Sequence, residues 1–377
     1  AFNRMRINKA LFTLAVAHFF VDTYSSMLGA FLPFLQRELH ISLSQAGTLG
    51  GVLIFSSSLM QPLYGYLADR IGSKLFMALG PAIAGVFICS LGTFPDFYAL
   101  LLLAALGGVG IAAFHPQGAA VTAKHSGHRH GYQMSVFIGA GMIGYAIGPF
   151  YITTVIALAG LEQSYLAAIP GVIATAYLLM FGPSPQKATT SSEHTSLRTS
   201  LWKKRRPLIL LYFLVVTRSI IQIVFVAFLP LCFTMRGYSE IQSGQLLTLF
   251  LLIGGASSFL GGLLSDRFGG KKIILISTLG YFPLLGGSLL TSGPLSIFLC
   301  VLGGAFLLLT NVVTVVMGQR LVPHHASTIS ALMMGFGWGV SALFLPLVGA
   351  LSETYGLQTS LIWLVFLMSP GFLLALG

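Results

Sequence analysis

The chain has 377 residues, of which 55% are apolar and only 8% charged, with a mean hydropathy of +0.88, whereas soluble domains are roughly one-quarter charged. That excludes a soluble globular domain, and the three cysteines Cys89, Cys232 and Cys300, scattered singly through apolar stretches, exclude a disulfide framework. The formal charge of +11 would fit a nucleic-acid partner if it formed a patch, but it falls almost wholly in short loops between apolar stretches, so no nucleic acid is expected.

Crossing a hydrocarbon core about 30 Å thick takes about 20 mostly apolar residues. Twelve such stretches occur, at about 10–35, 44–68, 74–94, 97–122, 131–156, 164–182, 208–234, 241–265, 271–291, 294–318, 326–351 and 357–376. The expectation is an all-α integral membrane protein with twelve transmembrane helices in two six-helix bundles, residues 1–182 and 208–377, joined by a hydrophilic linker at 183–207. The first stretch is too long for a signal-peptide core, so no cleaved leader is expected.

An ionisable side chain at the bilayer centre costs about 2.5–3.5 kcal/mol, so each one asks for a reason. Helix 1 carries His18 and Asp22, four residues apart and so on one face, with Ser25 a turn further on. Of the nine acidic residues, Asp22 alone lies deep in a predicted helix, which makes it the leading proton-binding candidate. Between helices 2 and 3 comes Gly65-x-x-x-Asp69-Arg70-x-Gly72-x-Lys74. Helix 4 holds Phe114-His115-Pro116-Gln117. Pro116 frees a backbone carbonyl one turn earlier, which alone could account for His115; contact with a proton or substrate is the other reading, with Gln117 beside it. The following loop, His125 to His130, and its counterpart Pro323-His324-His325 lack Cys and nearby carboxylates, so they read as solvated loops and no metal is assigned. Helix 5 carries Gly139, then Gly144-x-x-x-Gly148-Pro149, a small-residue spacing that any tightly packed helix pair uses.

In the second half, helix 7 has the only deeply placed arginine, Arg218, with Gln222 four residues on, and helix 10 has Asn311. Asp22 and Arg218 are expected to meet, either as a static pair that fixes helix packing or as a pair that a proton or an anion breaks. The pattern between helices 2 and 3 recurs between helices 8 and 9 as Gly262-x-x-x-Asp266-Arg267-x-Gly269-x-Lys271, displaced by 197 positions, where a breakable ion pair would serve as a gate. The same offset relates Pro33 to Pro230, Gln45 to Gln242, Gly47 to Gly244 and Pro149 to Pro346, so the chain is a duplication. The run Gly269 to Lys272 lacks the Ser or Thr of a nucleotide-binding loop. Neither nucleotide, cofactor nor enzyme activity is expected. Seventeen of the 20 Lys and Arg fall in loops on one side, which predicts that both termini and the linker lie on the cytoplasmic side.

The duplicated gate sequence resembles the signature loop of the major facilitator superfamily. The block Phe114-His115-Pro116, Val121 and Ser126-Gly127-x-Arg129-His130-Gly131, together with His18-x-x-x-Asp22, resembles the fosmidomycin-resistance family of bacterial drug exporters. That resemblance implies the major facilitator fold and proton-driven antiport of small, often anionic or amphipathic compounds. Asp69, Arg70, Gly72, Asp266, Arg267 and Gly269 would act as the gate, Gly144, Gly148 and Pro149 as an antiporter motif. His18, Asp22, Ser25, His115, Gln117, Arg218, Gln222 and Asn311 would contact protons or substrate. Gln117 and Ala120 depart from the family pattern, where a Glu and a basic residue are usual, which would leave Asp22 to carry the coupling alone. An importer or uniporter of a small metabolite such as an organic acid is the alternative function. Protons, a small-molecule substrate and membrane lipids are the expected partners, and a monomer suffices.

Overall fold

A computed structural model describes residues 9–71, 74–125, 130–183, 201–323 and 326–368. Among them are eleven helices long and apolar enough to cross a membrane: α1 (Leu11–Leu39), α2 (Leu43–Tyr64), α3 (Leu75–Gly92), α4 (Phe97–Thr122), α5 (Gln133–Ala159), α6 (Ser164–Phe181), α7 (Arg205–Thr234), α8 (Glu240–Phe268), α9 (Gly270–Leu290), α10 (Gly293–Leu321) and α11 (Thr328–Tyr355). A shorter apolar helix, α12 (Leu357–Met368), follows. Large apolar side chains such as Tyr98, Leu158 and Phe298 stand exposed on these helices, as a lipid-facing surface requires.

The chain divides into two compact units, one made of Ala1–Leu39 and Phe55–Thr189, the other of His40–Ile54 and Thr190–Gly377. The first half of α2 thus belongs with the second unit. There it lies against α11 so closely that a Cβ on Gly349 would sit 2.8 Å from Ser44 Cα and one on Gly51 would sit 3.3 Å from Ala342 O. Glycine is what allows backbones to approach at that distance. Glu353 of α11 accepts the backbone N–H of Ser44 at 2.8 Å.

Helix ends follow from local sequence. At the start of α2, Ser42 N–H donates to Gln45 Oε1 and Gln45 N–H to Ser42 Oγ, at 2.9 and 3.2 Å. The start of α8 repeats this capping box with Ser239 and Gln242. The duplication has therefore kept a helix start and not merely a gate loop. Between α8 and α9 a single residue, Gly269, makes the turn at φ +88°, a conformation that strongly favours glycine. Arg236, past the end of α7, donates to the carbonyls of Ser288, Leu289 and Thr291 and so closes the C-terminal end of α9.

Helix interruptions also have identifiable causes. α1 is broken at Ser26 and Met27, where the Thr23, Ser25 and Ser26 hydroxyls donate to the carbonyls of Phe19, Asp22 and Thr23. Such local bonds compete with the helical ladder. One π-helical stretch, Phe55–Leu59, lies within α2 and another, Ala331–Phe336, within α11. The cysteines are free and buried, as expected of packing residues.

Candidate functional site

In the first unit, α5 is pressed onto α1 by a run of small residues. A Cβ on Gly141 would lie 2.5 Å from Asp22 Oδ2 and 2.6 Å from His18 Nε2. One on Gly144 would strike the Phe19 backbone, and one on Gly148 the Thr23 carbonyl and the Ser26 hydroxyl. Gly144 and Gly148 are thus contact points of α5 with α1, whereas Gly139 faces open space. This close approach puts Asp22 at the α1–α5 seam and sets the Phe137 ring 4.1 Å from the His18 ring, stacked at 25°.

Asp22 has two histidine partners. His18 Nε2 lies 3.2 Å from its Oδ2, the (i, i+4) contact that the sequence predicts. His115 Nε2, from α4, lies 3.0 Å from Oδ1. The opposite nitrogen of each ring faces a main-chain carbonyl: His18 Nδ1 lies 2.8 Å from Phe137 O, and His115 Nδ1 lies 2.8 Å from Ile111 O. Pro116 stands inside α4 next to His115, and the carbonyl His115 meets is that of Ile111, one turn back. His18 is buried, while Asp22 and His115 keep side-chain exposures of 17% and 25%. The donor atoms of the three residues all lie within 4.8 Å of one another. Their N···O contacts have hydrogen-bond length, and we assign them no metal.

The second unit repeats the contact with different chemistry. Arg218 of α7 donates through one terminal nitrogen to Asn311 Oδ1 of α10 and, at 2.8 Å, to Gln222 Oε1. The other terminal nitrogen lies 3.1 Å from Ser219 Oγ. All of these partners are neutral. Arg218 is buried, and its Nε–H has no acceptor among the described residues. Residues 22 and 115 of the first unit and 218 and 311 of the second are each separated by 93 positions. The two contacts are therefore equivalent at a displacement of 196, one fewer than the 197 between the gate sequences.

Other sequence candidates are committed elsewhere. Ser25 donates to the Asp22 backbone carbonyl and not to its carboxylate. Gln117 is buried, and its Oε1 accepts the Met77 N–H at 3.0 Å, satisfying an orphan donor in the first turn of α3. Of the gate residues, Asp266 pairs with Arg320 at 2.9 Å, both about two-thirds exposed, and the Arg267 guanidinium lies over the Phe268 ring. On α8 a Cβ on Gly262 would meet Val312 Cγ1 of α10 at 3.3 Å, and one on the adjacent Gly261 would strike Leu309 O. The side chains of Asp69 and Arg70, and Gly72 itself, lie outside the described residues, as do the side chains of the two histidine loops. Phe137 and Gly141 were missed by the sequence reading. The signal for Gly141 was present, since positions 141, 144 and 148 form one small-residue stripe at helical spacing.

The model of the Major Facilitator Superfamily matches residues 14–344. The chain is 28% identical to the uncharacterized MFS-type transporter YfnC of Bacillus subtilis (strain 168), over 96% of this chain and 91% of that protein. It is 27% identical to the fosmidomycin resistance protein of Escherichia coli (strain K12), over 90% of this chain and 85% of that one. Its fold is similar to the crystal structure of a bacterial homolog of the human lysosomal transporter Spinster, with a TM-score of 0.81 at 14% identity, covering 97% of this chain and 96% of the other. A duplicated chain of membrane-length helices and a superfamily match over nearly its whole length lead to one conclusion: the chain belongs to the Major Facilitator Superfamily and is a multi-pass membrane transporter.

Proposed function

We propose that this transporter is a proton-coupled antiporter that exports small anionic or amphipathic compounds, phosphonates such as fosmidomycin among them, by alternating access across a bacterial cytoplasmic membrane. The observation that carries the reading is the contrast between two equivalent contacts: a carboxylate held by two histidines in one bundle and an arginine held only by neutral groups in the other. The first is built from groups that exchange protons. The second is a buried cation that an anion would stabilise. The 27% identity to a fosmidomycin resistance protein supports the substrate class and the direction. The loop bias of Lys and Arg supports cytoplasmic termini. In this reading Asp69, Arg70 and Gly72 and their repeat counterparts Asp266, Arg267 and Gly269 act as cytoplasmic gate groups, with Asp266 paired to Arg320.

The test is the internal pH of proteoliposomes on addition of fosmidomycin. Wild-type protein is expected to move protons against the drug. Asp22→Asn keeps the shape of the side chain but offers no exchangeable carboxyl proton, and it is expected to abolish that movement while fosmidomycin counterflow persists. An Asp22→Asn protein with undiminished proton movement would remove Asp22 from the coupling site.

A further inference from the structure

We infer that His18, Asp22 and His115 form one site that binds and releases two protons together in each transport cycle. The inference rests on the proton-coupled reading above for its place in transport, but its geometry stands apart from it.

A main-chain carbonyl only accepts hydrogen bonds. His18 Nδ1 and His115 Nδ1 each lie 2.8 Å from such a carbonyl, of Phe137 and Ile111, so each Nδ1 carries a hydrogen. Neutral imidazole has one N–H, and with Nδ1 protonated its Nε2 is a bare lone pair. Both Nε2 atoms nevertheless face carboxylate oxygens, at 3.2 and 3.0 Å. Each of these contacts joins two acceptors unless a proton lies in it. The contacts use different oxygens, Oδ2 for His18 and Oδ1 for His115, so one proton cannot serve both. The arrangement is therefore the doubly protonated one, with a net charge of +1 across the three groups. Loss of both protons to the water on the open side leaves two neutral Nδ1–H imidazoles and one carboxylate, with a net charge of −1. Lone pairs then oppose each other in both contacts, and the hydrogen bond from His115 of α4 to Asp22 of α1 is lost together with that from His18. The two protons are thereby linked to one another.

The surroundings supply little else that titrates. From α5, Tyr145 lies within electrostatic reach of Asp22. From α3, Cys89 lies against Met27, at the break in α1. The Tyr24 hydroxyl of α1 itself is taken up by α6, at Ala167 O and Gly171 N. Tyr151 of α5 likewise donates to Ala167 O.

Two measurements test this. The first is ¹⁵N NMR of histidine-labelled protein in lipid bilayers, with the signals of His18 and His115 identified by their loss in His18→Gln and His115→Gln. Both rings are expected to pass from imidazolium to the Nδ1–H tautomer as pH rises. A neutral Nε2–H tautomer at either ring would overturn the inference whatever the protein transports. The second is the fosmidomycin gradient that halts net flux at zero membrane potential. Each coupled proton contributes a factor of about ten per pH unit, so two protons hold about a hundredfold gradient. His115→Gln is expected to lower this to about tenfold. A wild-type value of about tenfold would overturn the two-proton count while leaving antiport in place. Wild-type protein that moves no fosmidomycin would instead remove the transport reading, and the NMR result alone would then decide the cluster.

Discussion

Arg218 and Asp22 occupy equivalent positions, yet they are satisfied in different ways. Asp22 has counter-charge from its own bundle once His18 and His115 are protonated. Arg218 hydrogen-bonds to the amide oxygens of Gln222 and Asn311 and to the Ser219 hydroxyl, with Tyr281 within electrostatic reach, and its Nε–H remains without an acceptor among the described residues. Burying a charge among neutral groups costs stability. Arg218→Gln is therefore expected to leave the melting temperature of the purified protein unchanged or raised. It is also expected to weaken fosmidomycin binding by about 10- to 100-fold, the value of a lost charge-assisted hydrogen bond of about 1.5–3 kcal/mol. A scintillation-proximity or calorimetric titration reads the affinity and a thermal-shift assay the stability; loss of stability with intact affinity would make Arg218 a packing residue. At this scale the sequence was informative where partners are close along the helix. His18 and Asp22 could be paired from their spacing alone, as could Arg218 and Gln222. The contacts of Asp22 with His115 and of Arg218 with Asn311 span 93 residues, so they depend on how two helices are rotated, which hydrophobic periodicity does not report in an all-apolar helix. The sequence therefore does not pair His115 with Asp22, and it leaves Asp22 to carry the coupling alone.

The seam of α1 with α5 shows how a glycine motif becomes a structural requirement. A Cβ at Gly144 would run into the Phe19 backbone, which cannot move aside as a side-chain tip can, whereas a Cβ at Gly139 would meet nothing within 4 Å. Gly144→Ala is expected to destabilise the protein by about 1–3 kcal/mol through overpacking. Gly139→Ala is expected to be neutral or to stabilise by up to about 1 kcal/mol, because alanine loses less backbone entropy in a helix. Thermal unfolding in one detergent compares them, and equal melting temperatures would mean that the seam yields. The exposed Asp266–Arg320 pair belongs to the opposite class. Exposed pairs contribute little stability, so Asp266→Asn is expected to keep the wild-type melting temperature. If the pair is a gate latch, the same change lowers the drug efflux rate; an unchanged rate would reduce it to a surface contact. The sequence located these elements because helix starts and turns are written locally, in Ser42 with Gln45, Ser239 with Gln242, and Gly269. It does not report which of the two adjacent glycines, Gly261 or Gly262, meets the α10 backbone, because that depends on the rotation of α8 about its axis.

For the molecule as a whole, the duplication was the most legible feature, and the half-turn details were the least. The two copies keep an offset of 197 at the gate sequences and also inside helices, at Pro33 with Pro230 and Pro149 with Pro346, but of 196 at the two buried contacts, so the shift of one residue falls within helices and has disturbed neither contact. The membrane orientation is the property at this scale that remains most directly open to measurement. The sequence assigns seventeen of the 20 basic residues to one side, including the run Lys203 to Arg206 at the start of α7, while Arg236 lies past the far end of that helix. Translocating a basic loop against the membrane potential costs about 2.3 kcal/mol per charge per 100 mV, so a run of four holds its side firmly. The native cysteines are buried, so a single cysteine introduced at an exposed position reports cleanly. Lys203→Cys is expected to react with a membrane-impermeant maleimide only after cells are opened, and Met235→Cys, which is 64% exposed at the other end of α7, in intact cells. The reverse pattern would invert the protein in the membrane, and with it the side from which the histidine–aspartate cluster takes its protons in the proposed antiport.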